Sequence, residues 1–167
     1  MIYLDNAATT LIKPAAVENA VVNAMRSMAS PGRGGHIPAM KAAEMVYDCR
    51  CAAAELFNMD DAEKVVFTMN ATHALNIAIS SMAKHGTKTV ISGFEHNSVT
   101  RPLTAIGAEV TVAGRSLFDR EAVLEDFRRK LPGAGLAVCT HVSNVFGFIL
   151  PIYETVSYTH LTLPTIL

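Results

Sequence analysis

The sequence lacks any excess of basic charge: 14 Lys and Arg stand against 15 Asp and Glu, for a formal net charge of −1. That balance argues against a general nucleic-acid binder, which neutralises phosphates with a basic stripe. A long apolar run is also missing. No stretch approaches the roughly 20 residues needed to span a bilayer. The start, MIYLDNAATT, has neither the basic nor the apolar segment of a signal peptide. Neither nucleic acid nor membrane is therefore expected as a partner. Cysteine is scarce: Cys49, Cys51 and Cys139 make no disulfide framework, and a reducing cytoplasm is the expected compartment. Cys49 and Cys51 fall two apart in a helical pattern, so they point to different faces and are not expected to share a metal ion.

What is present is an alternation of helix and strand signals in a chain that is half hydrophobic. Residues 14–29 carry Val17, Val21, Ala24, Met25 and Met28 on one helical face. SPGRGGH then breaks the chain. Met40, Ala43, Tyr47, Cys51, Ala54 and Phe57 share a face of a helix expected over 38–57. KVVFTM at 64–69 is short, apolar and β-branched and reads as a first strand. NATHALNIAISSMAKHG reads as a helix with Leu75, Ile79 and Met82 as its stripe, Lys84 and His85 in its last turn and Gly86 as its C-cap. Further strands are expected at 87–92, 108–114 and 136–142. A short helix is expected over 99–106. A clearer one spans FDREAVLEDFRRKLPG, capped by Asp119 and facing the core with Val123, Leu124, Phe127 and Leu131. This order predicts an α/β fold with a mostly parallel sheet flanked by helices.

In such sheets ligands bind past the carboxyl ends of the strands. The polar residues there are Asn70 to His73, Glu95 to Ser98, and His141, Ser143 and Asn144. A helix starting at Ala71 and Thr72 presents free N–H groups suited to a phosphate, or is an ordinary capped start. For His96 several roles stand open. The six histidines show no HxxxH or HxH pairing, so no metal site is expected. As half of a nucleophile–base pair His96 could use Ser98 or Ser143, but no GxSxG elbow is present. Stacking its ring on a planar ligand is a third role, and a solvated loop position the fourth. Asn144 either donates to a ligand oxygen or shapes a turn. PGRGGH follows a helix and matches no phosphate-loop motif.

Taken in order, YLDNAATT, PGRGGH, VVFTMNATHALN, EHNSVTRPL and THVSNVFGFILPI resemble the amino-terminal half of the class V aminotransferase family over residues 2–154. The cysteine desulfurase branch is the nearest likeness. The resemblance implies a pyridoxal 5'-phosphate (PLP) enzyme of the type I fold, of which 1–154 would be an incomplete large domain. It implies a homodimer acting on L-cysteine, yielding L-alanine and an enzyme-bound persulfide, with a sulfur-acceptor protein as a further partner. By the same resemblance Ala71 and Thr72 hold the cofactor phosphate, His96 stacks on the pyridine ring and Asn144 meets the ring oxygen. Asn6, Ala7 and Ala8 line the substrate site, with His36 near it.

Two departures qualify that picture. The Asp–x–x–Gln and Ser–x–His–Lys segments of the family are absent, so no residue is assigned the Schiff-base, ring-nitrogen or sulfur-attacking role, and the chain alone is expected to be inactive. The ending TVSYTHLTLPTIL contains no Asp, Glu, Lys or Arg. It resembles translated read-through of a sequencing adapter, so 155–167 is set apart as an atypical tail, with a native β-rich tail as the alternative. Transamination or elimination on another amino acid would keep every motif. A non-enzymatic phosphate- or nucleotide-binding α/β module remains the reading outside enzymology.

Overall fold

The computed structural model describes residues 2–157. The chain divides into two compact units, one ending at Phe67 and one beginning at Thr68. In the first, α1 (Ala15–Ser27) and α2 (Ile37–Leu56) form where apolar spacing predicts helices. Pro38 falls in the first turn of α2, where a missing N–H is tolerated. The apolar faces form but are not covered within this unit. No residue of α1 is buried, and α2 buries only Ala39, Ala42 and Ala54. Met25, Met40, Tyr47 and Phe57 are all exposed.

The strand expected at 64–69 is not found. Ala62–Lys64 forms one 3-10 turn, capped by Asp61, whose Oδ1 accepts the Glu63 N–H at 2.8 Å. Val65 is extended, yet no described strand pairs with this segment, and Met69 is 90% exposed. β-branched residues bias the backbone toward an extended form, but a strand also needs a partner to take its ladder bonds.

The second unit runs α3 (Ala71–Met82), β1 (Lys88–Ser92), α4 (Asn97–Ile106), β2 (Glu109–Ala113), α5 (Arg120–Lys130), β3 (Leu136–Val138) and α6 (Ile152–Ser157). The sheet order is β2-β1-β3, and both pairings are parallel. The register sets Lys88 beside Glu109 and Thr89 beside Leu136. The expected α/β architecture with a parallel sheet is therefore present. Of the tail expected at 155–167, Thr155, Val156 and Ser157 complete α6; the remainder lies outside the described residues.

Successive residues of β1 face opposite sides, and each side has its own helical cover. Val90 packs with Ala113, Val123, Phe127, Leu131, Leu150 and Ile152, beneath α5. Ile91 packs with Ile79, Val99, Leu103 and Leu136, beneath α3 and α4. Phe127 alone contributes about 1.5–3 kcal/mol of burial. β2 is less buried than β1: its first three residues are exposed and only Ala113 is buried.

Two element ends differ from the sequence reading. α3 stops at Met82, so Lys84 and His85 lie beyond it and Gly86 is not its cap. Instead Thr87 closes a turn, its Oγ1 accepting the Lys84 N–H at 2.8 Å and its own N–H reaching the Lys84 carbonyl at 3.0 Å. β3 stops at Val138 rather than 142, because the Thr140 N–H bonds a side chain, as described below.

Gly114, at the exit of β2, sits at φ 62°, and a Cβ there would lie 2.9 Å from both Phe127 and Val123. Its N–H donates to Asp126 Oδ2 at 2.9 Å. That carboxylate also receives Lys130 Nζ at 2.8 Å and Arg129 at 2.7 Å. Burial opposes its charge, but these donors outweigh it and hold the carboxyl at about 2, below its ordinary 3.8.

Candidate functional site

The first turns of α3 and α4 meet at an open cleft of about 510 Å³ lined by Thr72, Asn76, His96, Ser98, Arg101 and Pro102, among others. α3 begins there because Asn70 is its N-cap: Oδ1 accepts the His73 N–H at 2.9 Å. That leaves the N–H groups of Ala71 and Thr72 without a partner among the described residues. The Thr72 carbonyl accepts Asn76 Nδ2 at 2.8 Å, which fixes two lining residues on one helix face.

α4 begins because His96 caps it. Nδ1 accepts the Ser98 N–H at 3.1 Å and lies 3.0 Å from Ser98 Oγ. The neutral ring then carries its proton on Nε2. One edge of the imidazole is tied down while the residue stays exposed at the cleft. Chemically, the cleft offers unpaired N–H groups at a helix start, hydroxyls, the Arg101 cation and a held aromatic ring. Such a set suits an anionic group attached to a planar one.

Thr72 and His96 are thus brought together, with Ala71 immediately before Thr72. Asn144 does not line this cleft. It lies in a turn closed by Ser143 N–H to the Phe148 carbonyl at 2.9 Å and Gly147 N–H to the Ser143 carbonyl at 2.8 Å. Gly147 adopts φ 64° at that turn. The remaining sequence-predicted residues belong to the other unit. Asn6, Ala7 and Ala8 form a turn in which the Asp5 carbonyl accepts the Ala8 N–H at 3.2 Å. His36 caps α2, its Nδ1 accepting the Ala39 N–H at 3.4 Å.

Sequence reasoning missed the cluster behind His96. Ser92, at the end of β1 and 1% exposed, donates its hydroxyl to Glu95 Oε1. The same carboxylate oxygen accepts the Thr140 N–H at 2.6 Å. Burial raises the Glu95 carboxyl above its usual range, against the lowering effect of these two donors. Beside it, burial first and the Glu95 charge second push the Cys139 thiol up to about 12. Such a thiol is protonated at neutral pH and offers no thiolate. The only local signal was the spacing of Ser92 and Glu95; Thr140 is 45 residues further on.

Residues 2–163 match the sequence model of the family described as aminotransferase class-V. The chain belongs to that family. The expectation drawn from the five ordered motifs is met. A probable cysteine desulfurase of Synechocystis sp. is 27% identical over 96% of this chain and 40% of its own length. A probable cysteine desulfurase of Aeropyrum pernix is 30% identical over 93% of this chain and 40% of its own. The apo structure of cysteine desulfurase from Thermococcus onnurineus superposes with a TM-score of 0.80 at 28% identity, over 94% of this chain and 40% of that one. The chain therefore spans about two-fifths of the length of the relatives it matches.

Proposed function

We propose that this class V aminotransferase chain is the amino-terminal, cofactor-holding portion of a PLP-dependent cysteine desulfurase that converts L-cysteine to L-alanine and passes the sulfur to an acceptor protein. The observation that carries it is the cleft. Thr72 and the edge-tethered ring of His96 come together there from separate helices, at a helix start whose Ala71 and Thr72 N–H groups are free among the described residues. These residues fit the cofactor. Ala71 and Thr72 would hold its phosphate and His96 would lend a ring face. For Asn144, which does not line the cleft, a contact with the ring oxygen rests on the family motif alone. When bound, PLP supplies an electron sink for the carbon bearing the substrate amine. For Asn6, Ala7, Ala8 and His36 the substrate role rests on the family motif alone. A homodimer in the cytoplasm completes the proposal; among the described residues no helix is long and apolar enough to cross a membrane.

The chain alone holds PLP without turnover, because no lysine lines the cleft among the described residues. Lys130 is committed to Asp126 and the Val112 carbonyl, and Lys64 to Asp60. Cys139, with its thiol at about 12, is not the sulfur-attacking group. The test titrates the purified chain with PLP and follows absorbance, then adds L-cysteine and assays alanine and sulfide. Saturable binding that weakens by roughly tenfold in Thr72→Ala and in His96→Ala is expected, with no product. Binding insensitive to both substitutions would remove the cleft from the proposal. Sustained alanine formation by the pure chain would overturn its inactivity.

A further inference from the structure

We propose that Glu95 is a positioning residue: by receiving Ser92 and Thr140 on one carboxylate oxygen, it fixes His96 relative to the loop that carries Asn144. This rests on the cofactor reading given above. β1 and β3 pair only as far as Ile91 and Val138. Beyond that point β1 continues against β2 alone, through Ser92 and Ala113, and no backbone carbonyl of β1 takes the Thr140 N–H. A half-buried N–H still needs an acceptor, and Glu95 Oε1 takes the place of the next ladder bond at 2.6 Å.

The carboxylate is held in turn. Ser92 Oγ donates to it and also accepts the Phe94 N–H at 3.3 Å, so 92–95 closes on itself around a buried hydroxyl. The next residue is His96, whose backbone begins α4 and whose ring is tied to Ser98. Four residues after Thr140 comes Asn144. Glu95 therefore joins the two strand-end segments at the point where each departs toward a proposed cofactor contact. A second attachment lies alongside. The Phe94 ring meets Phe146 and Phe148 edge-on, with centroids 6.0 and 5.5 Å away. Those aromatic contacts hold the segments close, while the hydrogen bonds to Glu95 set their angle, since hydrogen bonds are the more sharply directional of the two. Loss of the carboxylate should accordingly loosen the site without unfolding the sheet.

The test compares the full chain with Glu95→Ala and Glu95→Gln, using three readouts: amide exchange at Thr140, the ring nitrogen resonances of His96, and PLP affinity. Gln keeps a side-chain oxygen acceptor without the charge. In Glu95→Ala, Thr140 exchange should accelerate and the His96 signals should move, with affinity falling about tenfold. Glu95→Gln should restore most of each. Unchanged His96 signals in Glu95→Ala, with Thr140 exchanging faster, would overturn the proposal and leave Glu95 as a loop tether only. A Gln variant as impaired as Ala would overturn it as well, because accepted bonds would then not be the cause. Should the wild type not bind PLP, the cofactor reading fails. The positioning role is then still decided by whether His96 moves in Ala and returns in Gln. If Glu95→Ala does not fold, Ser92→Ala replaces it. A shift of the His96 signals in Ser92→Ala supports the proposal, and none overturns it.

Discussion

The units on either side of Phe67 contain helices of similar quality and very different cores. α1 and α2 show clear apolar faces, yet only three alanines of α2 are buried and nothing in α1 is. In the second unit Phe127, Ile79, Leu103, Leu150 and Val123 are all among the most deeply buried side chains. The difference lies in what stands opposite each helix. α3, α4 and α5 pack on a parallel sheet that presents Val90 to one side and Ile91 to the other. Amphipathic spacing is enough to shape a helix, but burial requires a second surface.

The sharpest way to break the comparison is Phe127→Ala. It should cost about 3–5 kcal/mol by urea unfolding, while Val21→Ala on exposed α1 should stay within about 0.5 kcal/mol. Equal effects would mean the first unit has a core of comparable weight. Gly114→Ala comes next, because an added methyl meets Phe127 and Val123 at 2.9 Å on a positive-φ backbone. A loss of about 1–3 kcal/mol is expected, with α5 displaced from the sheet.

Asp126→Asn should cost about 1–2 kcal/mol by removing a charged acceptor from Gly114, Lys130 and Arg129. Its acid dependence has a definite sign. The folded carboxyl titrates at about 2, below its ordinary 3.8. Its contribution is thus complete above pH 3.8 and is lost as pH falls through about 2. The wild-type stability curve should fall through that window, and the Asn variant should lack this part of the fall. The smallest effects belong to the caps. Asn70→Ala should lower stability by about 1 kcal/mol. His36→Ala should lower it by less, because the His36 contact is 3.4 Å against 2.9 Å for Asn70. A reversed order would show that α2 relies on its cap more than α3 does.

Features written in contiguous residues were legible in the sequence. Asp119 capping α5, and Val123, Leu124, Phe127 and Leu131 facing the core, follow from spacing within one segment. The family likeness had the same local character, since each motif is one contiguous run of residues. The misread elements depend on distant partners. Residues 64–69 have β-branched composition but no partner strand among the described residues. Lys84 and His85 suited a helix end, yet the Thr87 hydroxyl captures that backbone first. Thr72 and His96 shared an expected rim, and they meet in one cleft because α3 and α4 pack side by side. The Glu95 bond to Thr140 crosses 45 residues and has no local signature.

The register of the central strand also orders the assembly of the sheet. Pairing Lys88 with Glu109 closes a far shorter loop than pairing Thr89 with Leu136. The longer closure carries an extra entropic cost of roughly 0.7 kcal/mol. β1, α4 and β2 should therefore dock first, with β3 added to an existing edge. In stopped-flow refolding, Val112→Ala should slow folding, whereas Val138→Ala should chiefly speed unfolding. The segment from Cys139 to Asn144, carrying one side of the proposed site, would then be the last to reach its place.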